Sequence, residues 1–179
     1  MIMEFHQRFK ALSMQCRYAG SVDRFYSVAE HTSVGVEVLQ ESCASEDEQR
    51  AFFLHDMPEG PYGDIITPVK RDPAVAARWD ELEHTDFFEM TRRLDLPNGF
   101  MTKTSTVKAV KELDWNLFIA ELFTVADDFV RGRSKEYRID PDNMQQFFAL
   151  GRIDFYKEQG ADFGFQVQRL DRHFRRLFK

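Results

Sequence analysis

Cysteine is nearly missing: Cys16 and Cys43 are the only two in 179 residues, and their separation fits neither a thiolate metal site nor a redox pair. No signal-peptide pattern precedes them, so reduced thiols in a cytoplasmic protein are expected. Long apolar runs are missing too. None approaches the roughly 18 residues a membrane span needs, so no membrane partner is expected. Charge of one sign is not gathered anywhere. The formal net charge is −6, the pI about 5.4, and acidic and basic residues are mixed along the chain. Without a basic stripe, a nucleic-acid surface is not expected. An anionic small molecule could still bind locally, through a metal or one or two arginines. Sustained polar-apolar alternation is absent as well, and with it the signature of strands.

What is present is apolar spacing of three and four, which predicts an all-α chain. At 179 residues, 43% of them hydrophobic, a single domain with a substantial core is expected over residues 1–179. The 18 phenylalanines point to an aromatic-rich helical core. Phe5, Phe9, Leu12 and Cys16 outline a first helix, and Gly20, Ser21 and Asp23 make 17–27 a loop. Ala29 to Ser42 reads as a second helix. Ser45 followed by Glu46, Asp47 and Glu48 is a capping-box start for a third, over about 46–56, ended by Pro58 and Gly60. Two glycines and two prolines make 59–72 an irregular loop. Further helices are expected over 73–95, 103–129, 140–158 and 163–178, the sixth with Asp140-Pro141 as cap and first position.

The stretch AFFLHDMPEG, residues 51–60, ends an apolar run in three titratable side chains, His55, Asp56 and Glu59. Two further residues stand out on other helices. His31 taken alone has the ordinary reading of a hydrogen-bonded packing residue. Asp114 lies among Leu113, Trp115, Leu117 and Phe118, where an unpaired carboxylate is costly to bury; pairing with Lys108 or Lys111 is its ordinary alternative. Together, two imidazoles and two carboxylates from three helices form a ligand set for a borderline divalent metal. Such a metal acidifies water and polarises phosphoryl oxygen. Glu59, just past the helix end, can then approach that water without coordinating, and Asp64 is a second candidate for proton transfer or orientation. Arg17, Arg24 and Lys70 are candidates to meet an anionic substrate, with plain surface solvation as the alternative for each.

The order His…His-Asp…Asp resembles the signature of the HD-domain metal-dependent phosphohydrolases. Within them the chain looks most like the YfbR-like 5′-deoxynucleotidases and the short phage enzymes that hydrolyse deoxynucleoside triphosphates. The stretches that carry the resemblance are SVAEHTSVGVEV (27–38), LHDMPEGPYGDIITPVK (54–70) and KELDWNLFIAE (111–121), about the first two-thirds of the chain. The resemblance implies an HD-domain helical bundle with His31, His55, Asp56 and Asp114 as ligands of a zinc, cobalt or manganese ion, magnesium being a further option. It implies Glu59 as catalytic acid/base, Asp64 beside the attacked phosphate, and Arg17 on substrate phosphate or sugar. One position departs: the bacterial nucleotidases carry Trp after that Arg, associated with rejecting the ribose 2′-hydroxyl, where this chain has Tyr18. Tyr18 can still block the 2′ position by bulk.

The expected function is hydrolysis of a 2′-deoxynucleotide at the 5′-oxygen, with dATP or another deoxynucleoside triphosphate as first choice and a deoxynucleoside monophosphate as the alternative. The resemblance also implies a homo-oligomer, dimer or hexamer. A nucleotide-binding module without turnover is a competing reading, whose expected mark is loss of a ligand or of Glu59; all are retained. A helical interaction domain with an accidental motif is a third.

Overall fold

In the computed structural model, residues 3–65, 67–70, 72–133 and 137–179 are described. They are all-α, with no strand among them. The helices are α1 (Phe5–Met14), α2 (Val28–Glu41), α3 (Glu46–His55), α4 (Glu59–Tyr62), α5 (Thr67–Lys70), α6 (Pro73–Arg93), α7 (Thr104–Thr124), α8 (Asp128–Arg133), α9 (Met144–Phe155) and α10 (Phe163–Phe178). Short 3-10 turns occupy Arg17–Gly20 and Phe100–Thr102.

Local chemistry sets the ends. Ser27 caps α2 by accepting from the amide of Glu30, and Ser45 with Glu48 closes the expected capping box on α3. Several expected boundaries are corrected. Cys16 lies beyond α1, facing Ser27 across an isolated bridge. Residues 59–72 are not simply an irregular loop but carry α4 and α5; positions 66 and 71 lie outside the described residues. The long helix ends at Thr124 instead of 129. There the backbone pairs outward with the 17–27 segment, the amide of Asp23 donating to Val125 O and that of Asp127 to Ser21 O. The cap of α9 is Asn143, which accepts from the Gln146 amide, because Asp140 instead closes its own turn with the Asp142 amide.

α2 is the central element, packed by α1, α3, α7, α9 and α10. Its Gly35 is where α3 comes closest: a side chain there would run into the Phe52 ring. Phe9, Phe53, Phe174 and Phe178 stack where α1, α3 and α10 meet. The aromatic core is only part of the phenylalanine account, since Phe88, Phe147 and Phe155 are largely exposed. No helix among the described residues is long and apolar enough to cross a membrane.

Candidate metal centre

His31 lies in the first turn of α2, His55 ends α3, Asp56 is the residue after it, and Asp114 sits in the middle of α7. The fold brings the ligand atoms of His31, His55 and Asp56 within 4.8 Å of one another. Nε2 of His31 is 3.6 Å from Asp56 Oδ2, and Nε2 of His55 is 3.2 Å from Asp56 Oδ1. Asp114 joins through His31, its Oδ1 3.3 Å from the same Nε2. Burial raises its carboxyl, but His31, His55 and Arg17 outweigh this and hold it below the usual carboxylate range; its partner is His31 instead of a lysine of its own helix.

The two imidazoles are oriented alike. Each has Nδ1 engaged, His31 at 2.6 Å from Glu121 Oε1 and His55 at 2.5 Å from the carbonyl of Phe52. Each leaves Nε2 buried against carboxylate oxygens, His31 beside Asp114 and Asp56 and His55 beside Asp56, without a well-aligned hydrogen bond. A buried ring nitrogen without an aligned partner is uncommon in a finished core. Two of them converging on a carboxylate, with the far nitrogens fixed by oxygen acceptors, is the arrangement of metal-ligating histidines. The donor set, nitrogen and carboxylate oxygen, suits zinc, cobalt or manganese.

The electrostatics agree. Burial opposes ionisation of Asp56, yet His55, His31 and Arg17 hold it well below the usual carboxylate range. Burial likewise opposes charging of His31, but Glu121 and Asp114 lift it to about 9. Burial also opposes charging of His55, and Asp56 raises it. A cation entering the group therefore displaces protons, and its affinity rises with pH.

Glu121 is the residue that sequence reasoning missed. It is buried in α7, two turns beyond Asp114 on the same face, and it closed the matching stretch 111–121 without drawing a role. Besides His31 it accepts from the Tyr18 hydroxyl at 2.5 Å, and Arg17 Nε lies 3.4 Å from it. Its spacing from Asp114 was the available signal. Tyr18 and Ala19 hold left-handed backbone, φ 59° and 52°, a conformation that costs a non-glycine residue and persists only when its surroundings enforce it. The Tyr18–Glu121 bond and the 17–27 pairing to the end of α7 are what enforce it here.

The other expected residues sort as follows. Arg17 reaches the site, 3.5 Å from Asp56 Oδ2. Glu59 begins α4 instead of lying in a loop; it is buried, with Oε1 accepting from Lys70 Nζ at 2.9 Å and Oε2 without a partner. Burial, helped by Asp56, pushes its carboxyl up to about 8. Lys70 is thus paired with Glu59, and it also stands 5.1 Å over the Trp79 ring. Asp64 follows α4, partly exposed; burial raises its carboxyl against the pull of Arg17. Arg24 pairs with buried Glu30 at 2.7 Å beneath Gly160.

The turn that presents Glu59 is held from α1. Arg8, buried, donates from Nη1 to the Met57 carbonyl at 2.9 Å, and Gln15 donates to the Glu59 carbonyl at 2.9 Å. Gly60 lets the Arg8 stem pass close behind.

No protein-family model matches the chain, and no curated protein matches it.

Proposed function

We propose that the chain is an HD-type metal-dependent phosphohydrolase acting on 2′-deoxynucleotides, breaking the bond between phosphorus and the 5′-oxygen and releasing the deoxynucleoside. The observation that carries this reading is the convergence of the buried Nε2 atoms of His31 and His55 on the Asp56 carboxylate without aligned hydrogen bonds, together with a buried carboxyl, Glu59, that has a free oxygen.

His31, His55 and Asp56, with Asp114, would hold a divalent cation, which acidifies water and polarises phosphoryl oxygen. Glu59 Oε2 is the proton acceptor and later the donor to the leaving 5′-oxygen, its carboxyl tuned near neutrality by burial. Asp64 orients water or phosphate from the turn after α4. Arg17 supplies positive charge at the phosphate, and Tyr18, pinned by Glu121, closes the space beside it where a 2′-hydroxyl would lie. Lys70 leaves Glu59 for a phosphate oxygen when substrate enters.

The first choice of substrate is dATP or another deoxynucleoside triphosphate, releasing triphosphate. A deoxynucleoside monophosphate is favoured by one observation: Arg17 and Lys70, the cations named here, are both already held by carboxylates, which suits a small anionic charge.

The test is metal content after purification together with a hydrolysis screen of dAMP, dATP, ATP and the other deoxynucleotides with manganese, cobalt or zinc. The expected result is bound divalent metal and turnover of deoxynucleotides above ribonucleotides. No bound metal and no hydrolysis of any of them would overturn the reading.

A further inference from the structure

α7 carries a row of aromatic side chains that begins beside Asp114. At 3.6 residues per turn, Phe118 stands on the helix surface between Asp114 and Trp115. Phe118 packs against Tyr18, ring centroids 6.4 Å apart, and against Trp115, 5.4 Å apart. Arg17 lies at the other end of the row, its guanidinium carbon 5.6 Å from the Tyr18 ring. The order along the surface is therefore Arg17, Tyr18, Phe118, Trp115, leading outward from the contact of Arg17 with Asp56.

Trp115 is the outer member, and it is 48% exposed. A single exposed apolar side chain is ordinary. This one is held in place while half bare. Tyr137 meets both its ring and that of Phe118 nearly at right angles, 85° and 79°. The segment that carries Tyr137 is tied to α7 by amides: Asn116, the neighbour of Trp115, donates to Gln145 at 2.7 Å and accepts from Asn143 and Gln146 at 3.0 and 3.1 Å. Gln146 in turn accepts from the Asp140 amide at 2.8 Å. The indole is thus braced by two other rings, and the braces are fixed, which makes it a pre-organised flat surface beside the site.

We propose that the base of the bound nucleotide stacks on Trp115, so that Arg17, Tyr18 and Trp115 meet phosphate, sugar and base in that order. The inference rests on the reading of the site as one for deoxynucleotides and adds the part of the ligand that reading leaves open. Its occupant must be flat and aromatic to match the indole, and it must belong to the same molecule as an anion, because Trp115 follows Asp114 directly and joins Arg17 through two rings. A nucleobase meets both conditions. Stacking on an aromatic side chain favours binding by about 5–150-fold and tolerates any base, since each has a π-face. A purine offers the larger overlap, so purines should bind above pyrimidines.

Trp79 is the only other tryptophan, so in the full chain carrying Trp79→Phe and Glu59→Gln the fluorescence reports Trp115 alone and turnover does not consume the ligand. With zinc present, dAMP and dATP should quench it saturably. 2-Deoxyribose 5-phosphate, which has no base, should displace dAMP without quenching, and dCMP should bind more weakly than dAMP. By calorimetry, Trp115→Ala should weaken nucleotide binding about 5–150-fold. It should leave 2-deoxyribose 5-phosphate unaffected, and Trp115→Phe should recover most of the loss. A merely structural role would weaken both ligands alike. The proposal is overturned if none of the nucleotides binds, if they bind without quenching Trp115, or if Trp115→Ala leaves their affinity unchanged or lowers that of 2-deoxyribose 5-phosphate equally. Equal affinity for dCMP and dAMP would overturn the purine preference. Loss of the hydrolase reading looks different: a wild-type chain that turns over nothing, with Trp115 still quenched by nucleotides, refutes the reaction and leaves the stacking site standing.

Discussion

Oε1 of Glu121 lies 2.6 Å from Nδ1 of His31, and neither side chain has any surface exposed to solvent. The contact fixes the ring: with Nδ1–H donated to the Glu121 carboxylate, Nε2 is the nitrogen that faces Asp56 and Asp114. Oε2 of the same carboxylate accepts from the Tyr18 hydroxyl. One buried group therefore sets both the imidazole that faces Asp56 and the loop residue proposed to face the sugar.

Glu121→Gln should lower affinity for manganese or zinc about 10–100-fold, the usual cost of losing a carboxylate behind a ligating histidine. Calorimetric titration of the metal-free protein measures this. It should also loosen discrimination between dATP and ATP, because Tyr18 loses a charge-assisted bond. Unchanged affinity would show that the His31–Glu121 contact serves packing alone.

Glu59→Gln should separate binding from turnover. Metal content should persist while the rate falls about 10²–10⁴-fold, the span assigned to a lost general acid/base. By contrast, Asp114→Ala and His55→Ala should lose metal and activity together. The variant has a second signature in metal-free protein. Because burial raises the Glu59 carboxyl from its ordinary 4.5 to about 8, the folded chain holds a proton there that the unfolded chain has released. Its contribution to stability is therefore greatest below about pH 4.5 and declines as pH rises toward 8. Glu59→Gln should remove that decline, seen as a smaller fall in melting temperature between pH 5 and pH 8 than wild type shows.

The helical periodicity, the Ser45–Glu48 box and the His-Asp pair were legible because each is a short-range pattern. The ligand group could be proposed because histidine and carboxylate chemistry narrows what four such residues do together. Glu121 left only its two-turn spacing from Asp114 as a trace, because its meaning comes from a contact with His31 across 90 positions of sequence. The carboxylate partners of Lys70 and Arg24 were hidden for a related reason. A lone cation in a loop looks free for an anion until the fold supplies Glu59 or Glu30 as its partner. The end of α7 at Thr124 was equally hidden, since nothing local stops that helix; the 17–27 segment competes for its last backbone groups.

Asp86→Ala should destabilise the chain by about 3–5 kcal/mol, the cost of stranding a buried charge. Arg8 pairs with Asp86 through both terminal guanidinium nitrogens, at 2.5 and 2.7 Å, with each side chain almost wholly buried. Urea unfolding measures the loss. The double variant Arg8→Met, Asp86→Leu should recover much of it, since an apolar pair leaves no charge stranded. It should not recover turnover. Arg8 also holds the Met57 carbonyl ahead of Glu59, so a stable double variant with reduced kcat and near-normal metal affinity is expected.

Gly35→Ala tests whether the close approach of α2 and α3 is what assembles the ligand group. Gly35 is one turn beyond His31 on the same side of α2, and a methyl group there would occupy the space of the Phe52 ring. That ring cannot move freely. It is buried, packs 4.2 Å from the His55 imidazole and 5.7 Å from that of His31, and its own carbonyl holds His55 Nδ1. Overpacking of this kind costs about 1–3 kcal/mol. In an ordinary core the loss would appear in unfolding alone. Here α3 must slide or Phe52 must turn, and either shift moves His55 Nε2 relative to His31 Nε2. Metal affinity should therefore fall more than the stability of the metal-free chain. Phe52→Leu in the Gly35→Ala background should restore both by vacating the contested space. If stability falls but metal affinity does not, the ligand geometry tolerates displacement of α3, and Gly35 serves packing only.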